Sequence, residues 1–211
     1  MRGISAASAP FGRCSVLAVA AGGLALWLAG CTGMPLVNRQ ADPAYARTVV
    51  NYDRREASGT IVVDPNNHFL YLVQPNGKAV RYGVGVGGEG FGWYGVATVH
   101  TKQEWPDWYP PREMLARKPE LVPHMSQLRS GLGMPGGPDN PIGARALYLW
   151  QGDRDTLYRI HGTNEPWTIG TNVSSGCIRL TNDDIIDLYN RTPVGTRVVV
   201  LNSTNARAAA R

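Results

Sequence analysis

Two short segments of this 211-residue chain carry side chains that could do chemistry together, His161-Gly162-Thr163-Asn164 and Ser174-Ser175-Gly176-Cys177-Ile178-Arg179. A cysteine attacks as its thiolate, so it needs a base or an imidazolium partner to draw off its proton. His161 follows the apolar run ending at Ile160, stands sixteen residues before Cys177, and like Cys177 has a glycine beside it. Gly176 would let backbone N–H groups turn toward a developing oxyanion. Arg179, two residues after the thiol, is placed to hold an anionic group of a substrate. His68, His100 and His124 have no such company and read as structural. Two ligands without a further set of spaced histidines or carboxylates do not make a zinc site, so no metal and no cofactor are expected.

The rest of the cysteine usage points to export. The other two cysteines are Cys14 and Cys31. Arg2 and Arg13 give a positive start, and Val16 to Leu28 is an uncharged apolar run too short for a comfortable membrane span. Leu28-Ala29-Gly30-Cys31 resembles a lipobox, the bacterial lipoprotein signal after which the cysteine is lipidated and becomes residue one. An ordinary signal peptide cut nearby and an uncleaved anchor are alternative readings of the same stretch. With residues 1–30 removed, Cys177 is the one free thiol left, and an unpaired cysteine in an exported chain reads as reactive. The bland alternative is a small buried hydrophobe. Lipidation at Cys31 would hold the protein to a membrane. Thr32 stands where an aspartate signals inner-membrane retention in such lipoproteins, which favours the outer membrane and a domain in the periplasm.

Processing at that point takes away two arginines and no acid, leaving 19 basic against 16 acidic side chains. Such a mild balance, with no lysine or arginine block, excludes nucleic acid as the expected partner. Residues 31–58 read as a lipidated N-terminus and flexible tether, 59–201 as one domain, and 202–211 as a disordered tail.

The elements that must position the chemistry read mostly as β. Ile61 to Val63, Phe69 to Val73, Val80 to Val86, Val96 to Thr101, Ala146 to Trp150, Leu157 to Ile160 and Arg197 to Leu201 are strand-like, and Pro75-Asn76-Gly77 is a hairpin signal. Short strands separated by turns argue a sandwich or barrel-like domain. Asn182 to Tyr189 predicts a helix capped by Thr181 or Asn182, with Asp183 and Asp184 at its positive end. Gly85 to Gly90 matches G-x-G-x-x-G in form, but no helix follows it, so it reads as a glycine-rich strand end and not a dinucleotide site. Residues 104–143 read as a long loop whose Trp105, Trp108 and Tyr109 either line a groove or pack the loop onto the sheet.

Taken together, His161-Gly162-Thr163-Asn164, Ile169-Gly170, and Ser174-x-Gly176-Cys177-Ile178-Arg179-Leu180-x-Asn182 resemble the signature of the L,D-transpeptidase catalytic domain, the YkuD family. The resemblance spans roughly Gly59 to Leu201 and includes Pro138-Asp139-Asn140-Pro141-Ile142-Gly143. Ser175 stands where many members carry histidine, and Gly92-Trp93-Tyr94-Gly95-Val96-Ala97 replaces the usual Thr-Pro-x-Gly stretch, which touches the donor groove and not the chemistry.

The resemblance implies a mainly β fold, an L,D-transpeptidase β-sandwich with one or two short helices and a long active-site loop. It implies Cys177 as nucleophile and His161 as base, oriented by the Gly162 carbonyl. Ser175 and Gly176 would serve the oxyanion, and Ser174, Arg179 and Asn182 the substrate. Peptidoglycan stem peptides are the implied partner. The thiol would take the acyl group of the third residue of a tetrapeptide with loss of D-alanine. Transfer to a diaminopimelate amine would make a 3→3 crosslink, and transfer to a lysine would attach an envelope lipoprotein. Transfer to water would make an L,D-carboxypeptidase. A wall-binding anchor without turnover is the non-enzymatic alternative, and the chain reads as a monomer.

Overall fold

A computed structural model of the protein describes residues 40–53, 55–88 and 91–202. These belong to the larger of two units, Val37–Arg211. The stretch read as a leader, Cys14, the expected lipidation residue Cys31 and the stretch beyond Asn202 lie outside the described residues.

The strands are β1 (Thr48–Asn51), β2 (Ile61–Asp64), β3 (Phe69–Gln74), β4 (Lys78–Gly83), β5 (Val86–Gly87), β6 (Gly95–Glu104), β7 (Ser126–Leu128), β8 (Gly131–Gly133), β9 (Arg145–Gln151), β10 (Arg154–His161), β11 (Asn172–Ser174), β12 (Ile178–Arg179) and β13 (Arg197–Val200). Among the described residues two α-helices join them, α1 (Arg112–Arg117) and α2 (Asn182–Arg191). Nine strands form one sheet in the order β1-β4-β3-β2-β13-β6-β9-β10-β12. Most neighbours are antiparallel, while β13 runs parallel to β2 and β12 parallel to β10. Asn76 and Gly77 turn the β3–β4 hairpin with φ of 61° and 65°, the left-handed backbone these two residues tolerate best.

The fold is mainly β with few helices, as expected, and beside the nine-stranded sheet β5 pairs with β11 and β7 with β8. The inner face of the large sheet closes on a single core. Ile61, Leu70, Val99, Leu147, Leu149 and Val198 share that core with Ile185 and Leu188 of α2. Each fully buried aliphatic side chain of this kind stabilises by roughly 1.5–3 kcal/mol. A smaller cluster around Tyr52, Val62, Val73 and Ala79 covers the other face. Thr181 caps α2 by accepting from the Asp184 N–H at 3.2 Å, and Asp183 and Asp184 sit in its first turn.

Two expectations need correction. The stretch read as tether contributes a short helical turn, Pro43–Tyr45, and the edge strand β1, which pairs with β4 over four residues. The alternation that marks a half-buried strand is hidden there because β1 lies at the sheet edge and is largely exposed. Residues 104–143 are not structureless. β6 runs to Glu104, and α1, a second helical turn (Pro119–His124) and the β7–β8 ribbon follow. None of the residues of α1 or of that turn is buried, so no apolar periodicity announces them.

Candidate active site

His161 ends β10, and Cys177 immediately precedes β12, the strand beside it. The parallel register sets Ile160 opposite Ile178 and His161 opposite Arg179. Ile160 and Ile178 are both buried in the core. Side chains alternate along a strand, so Arg159, His161, Cys177 and Arg179 share the opposite face, with the thiol and the imidazole on one diagonal. Two segments far apart in spacing thus become one patch through a two-residue strand.

Backbone geometry holds the thiol in place. Gly85 exchanges hydrogen bonds with Arg179 at 2.8 and 2.9 Å. Ser174 Oγ donates to the Cys177 carbonyl and accepts from the Gly176 N–H at 3.1 Å. Gly176 has φ +119°, and a Cβ there would stand 2.5 Å from the Tyr158 ring and 2.9 Å from the Phe91 carbonyl. Only glycine fits.

The imidazole is fixed from behind. His161 Nδ1 lies 2.6 Å from the Gly162 carbonyl oxygen. A carbonyl can only accept, so Nδ1 carries the proton and Nε2 keeps the lone pair of a base. Burial, followed by the Arg179 guanidinium, pushes the His161 pKa down to about 4, against the Gly162 and Ile142 carbonyls that favour its charged form. Burial also pushes the Cys177 thiol up, opposed by the Arg159 N–H and the guanidiniums of Arg159 and Arg179. At neutral pH the resting pair is therefore a thiol and a neutral imidazole.

Both groups open into one cleft of about 500 Å³. Its floor includes His161, Cys177, Ser175 and Arg179, and its roof comes from residues 108–142, among them Trp108, Met114, Arg117, Lys118 and Leu121. Of the three loop aromatics, Trp108 lines the cleft, whereas Trp105 and Tyr109 do not. Asn140 anchors the roof. It is buried, its Nδ2 donates to the carbonyls of Pro106, Met134 and Pro135, and its Oδ1 accepts from the Ile142 N–H.

The family model for the L,D-transpeptidase catalytic domain, YkuD, matches residues 58–200. The chain belongs to this family. The probable L,D-transpeptidase ErfK/SrfK of Escherichia coli (strain K12) is 40% identical over 150 residues, which cover 67% of this chain and 44% of that protein. The probable L,D-transpeptidase YbiS of Escherichia coli (strain K12) is 33% identical over 144 residues, covering 66% and 43%. This L,D-transpeptidase family member thus spans less than half the length of these relatives. A crystal structure from Brucella melitensis, described as a probable carnitine operon oxidoreductase, is 48% identical with a TM-score of 0.50, covering 76% of this chain and 96% of that one.

Several family positions do something other than expected here. Asn182 does not reach the thiol cleft as a substrate contact. Its Oδ1 accepts from the N–H groups of Ala144 (2.9 Å) and Thr163 (3.2 Å), bracing the loops on either side of His161. Gly143 and Gly162 make room for it, since a Cβ on either would collide with that oxygen. The Gly176 N–H is engaged by Ser174, so it is not a free oxyanion donor, and the Ser174 hydroxyl is spent on the loop. Arg179 faces the cleft but is paired with Glu165 at 3.0 Å, and its buried Nε has no hydrogen-bond partner among the described residues. Sequence reading missed Glu165 and Arg159, and had Asn140 only as part of the Pro138–Gly143 segment without a role. Glu165 directly follows the His161–Asn164 motif, and Arg159 precedes His161 by one strand repeat, which is the signal that could have found them.

Proposed function

We propose that this protein is a peptidoglycan L,D-transpeptidase acting through Cys177 and His161. The observation that carries the reading is the placement of Cys177 and His161 on adjacent strands at the floor of a roofed cleft, with Nε2 of His161 left as acceptor by the Gly162 carbonyl. His161 takes the thiol proton as Sγ attacks the carbonyl of the third stem residue. The N–H groups of Ser175 and Cys177, which carry no hydrogen bond among the described residues, are the candidate oxyanion donors. Each such donor lowers the barrier by ~3 kcal/mol. The carbon–nitrogen bond then breaks, His161 returns its proton to the departing D-alanine amine, and a thioester remains. An acceptor amine attacks the thioester, the new amide forms, and the thiol is restored.

Arg117 and Lys118 line the cleft with Asp139 and the Glu165-paired Arg179, and the two roof cations suit a donor bearing carboxylates, as a diaminopimelate stem does. The name of the Brucella structure points to redox chemistry instead. What favours acyl transfer is the thiol–imidazole geometry and the course of the Gly85 segment, which leads through β5 to β6 rather than into a helix. Lipidation at Cys31 would tether this site to the envelope, with the outer membrane favoured by Thr32.

The test is product analysis after incubation with a disaccharide tetrapeptide containing meso-diaminopimelate. Crosslinked dimers and free D-alanine are expected. Tripeptide with no dimer would assign a carboxypeptidase, and an unchanged substrate with a folded protein would contradict the enzymatic reading.

A further inference from the structure

We infer that residues 42–51, which precede the family-matched region, form a strap that positions both halves of the active site, with Tyr45 as its key positioning residue. The inference takes Cys177 as the reactive thiol, as proposed above.

The strap begins as a capped turn, with Asp42 Oδ1 accepting from the Ala44 N–H at 2.8 Å. The turn presents Tyr45 to a notch built from two glycines. A Cβ on Gly83 would lie 2.5 Å from the Tyr45 carbonyl oxygen, and a Cβ on Gly170 would lie 2.8 Å from its ring Cδ2. Neither position accepts a side chain while Tyr45 is seated. The ring also meets Phe69 at 5.5 Å and His68 edge-on at 6.3 Å. Gly170 opens the segment that ends at the nucleophile. From it, backbone bonds run Gly170 N–H to Val84, Val86 N–H to Thr171 and Gly88 N–H to Ser174. Ser174 then holds Gly176 and Cys177. His68 bonds Asn172 in the same segment at 2.7 Å.

The second arm of the strap reaches the histidine side. Arg47 lies 3.6 Å from Asp184 and 3.3 Å from Asp187, both on α2. The first residue of α2 is Asn182, the brace of the His161 loops. β1 closes the strap by pairing with β4. One ten-residue segment therefore touches the supports of the thiol and of the base, without touching either reacting group.

The test uses the full chain with Tyr45→Leu and Tyr45→Phe. Turnover of the disaccharide tetrapeptide and alkylation of Cys177 by iodoacetamide, followed on its own peptide by mass spectrometry, are measured together. Tyr45→Leu is expected to lower kcat by ~10- to ~100-fold with KM within about twofold, and to change the Cys177 alkylation rate. Tyr45→Phe keeps the ring and is expected to restore both. A folded Tyr45→Leu with wild-type kcat and alkylation, or a Tyr45→Phe as impaired as Tyr45→Leu, overturns the strap. Hydrogen exchange of the wild type decides the matter should Tyr45→Leu not fold. Shared protection of 42–51 and 170–177 supports the strap, and rapid exchange of 42–51 beside a protected 170–177 overturns it. If the wild type turns over no donor, the transpeptidase reading fails, while alkylation and exchange still judge the strap.

Discussion

The catalytic corner and its roof are built on opposite terms. His161, Thr163, Ile160, Ile178 and Leu180 are buried, and the corner is held by ladder bonds of β10 and β12 and by the Asn182 brace. The roof, with the residues that lead into and out of it (105–143), carries a helix without a buried residue. Within it run the two 2.9 Å bonds between Trp108 and Met134, the Asp107 carboxylate on the Gly136 N–H, and the bonds of Asn140, while the Trp105 N–H on the Ala144 carbonyl and Asn164 Nδ2 on the Asp139 carbonyl, each 2.8 Å, tie it to the body. Chemistry that tolerates little displacement sits on strands, and the surface that would admit and release the proposed stem peptide sits on a segment with fewer buried residues. Substitutions in the corner should therefore act on kcat, and substitutions in the roof on KM.

The largest effect is expected from Cys177→Ala, which should abolish acylation and leave folding intact. His161→Gln comes next, with a loss of about 10²- to 10⁴-fold, the range of a general base. The pH dependence sharpens this point. Wild-type kcat/KM should rise with pH through the His161 value of about 4, stay level across neutrality, and fall above the raised thiol value, where no proton remains for the leaving amine. The same buried imidazole makes stability pH-dependent. The unfolded chain protonates near 6.5 and the folded one near 4, so stability falls as pH drops between these values, by roughly 3 kcal/mol in all. Chemical denaturation of wild type and His161→Gln at pH 7 and pH 4 should show that slope in the first and not in the second.

Asn182→Ala is expected to cost about 2 kcal/mol of stability by orphaning two backbone donors, and up to ~100-fold in kcat by loosening His161. Denaturation and steady-state kinetics on one preparation would separate the two. The smallest effect belongs to the roof. Arg117→Gln with Lys118→Gln should raise KM for the tetrapeptide by about tenfold with kcat within twofold. A fall in kcat instead would mean that the roof takes part in the chemistry and would erase the contrast between the two regions.

The sequence made the corner legible because its residues are local in kind. Glycine at 176, a histidine at a strand end and an acid-rich helix start each declare a backbone need. The hairpin at Asn76-Gly77 and the helix from Asn182 were readable for the same reason. What stayed hidden depends on distant neighbours. Asn182 looks like a substrate contact until Gly143 and Gly162 close around its oxygen. Tyr45 and Arg47 sit in a polar stretch with no periodicity, and their partners lie on β4, on the segment beginning at Gly170 and on α2. The roof was hidden because an exposed helix offers no apolar stripe. Glu165 was hidden because its ion pair with Arg179 spans a loop.

The most direct measurement is intact-protein mass spectrometry of the wild type and Cys177→Ala after mixing with a disaccharide tetrapeptide containing meso-diaminopimelate. The expected result is a wild-type adduct of donor mass less D-alanine, mapped by digestion to Cys177 and absent from the variant. An adduct that persists in Cys177→Ala, or none on a folded wild type, would contradict the assignment of Cys177 as the acylated nucleophile.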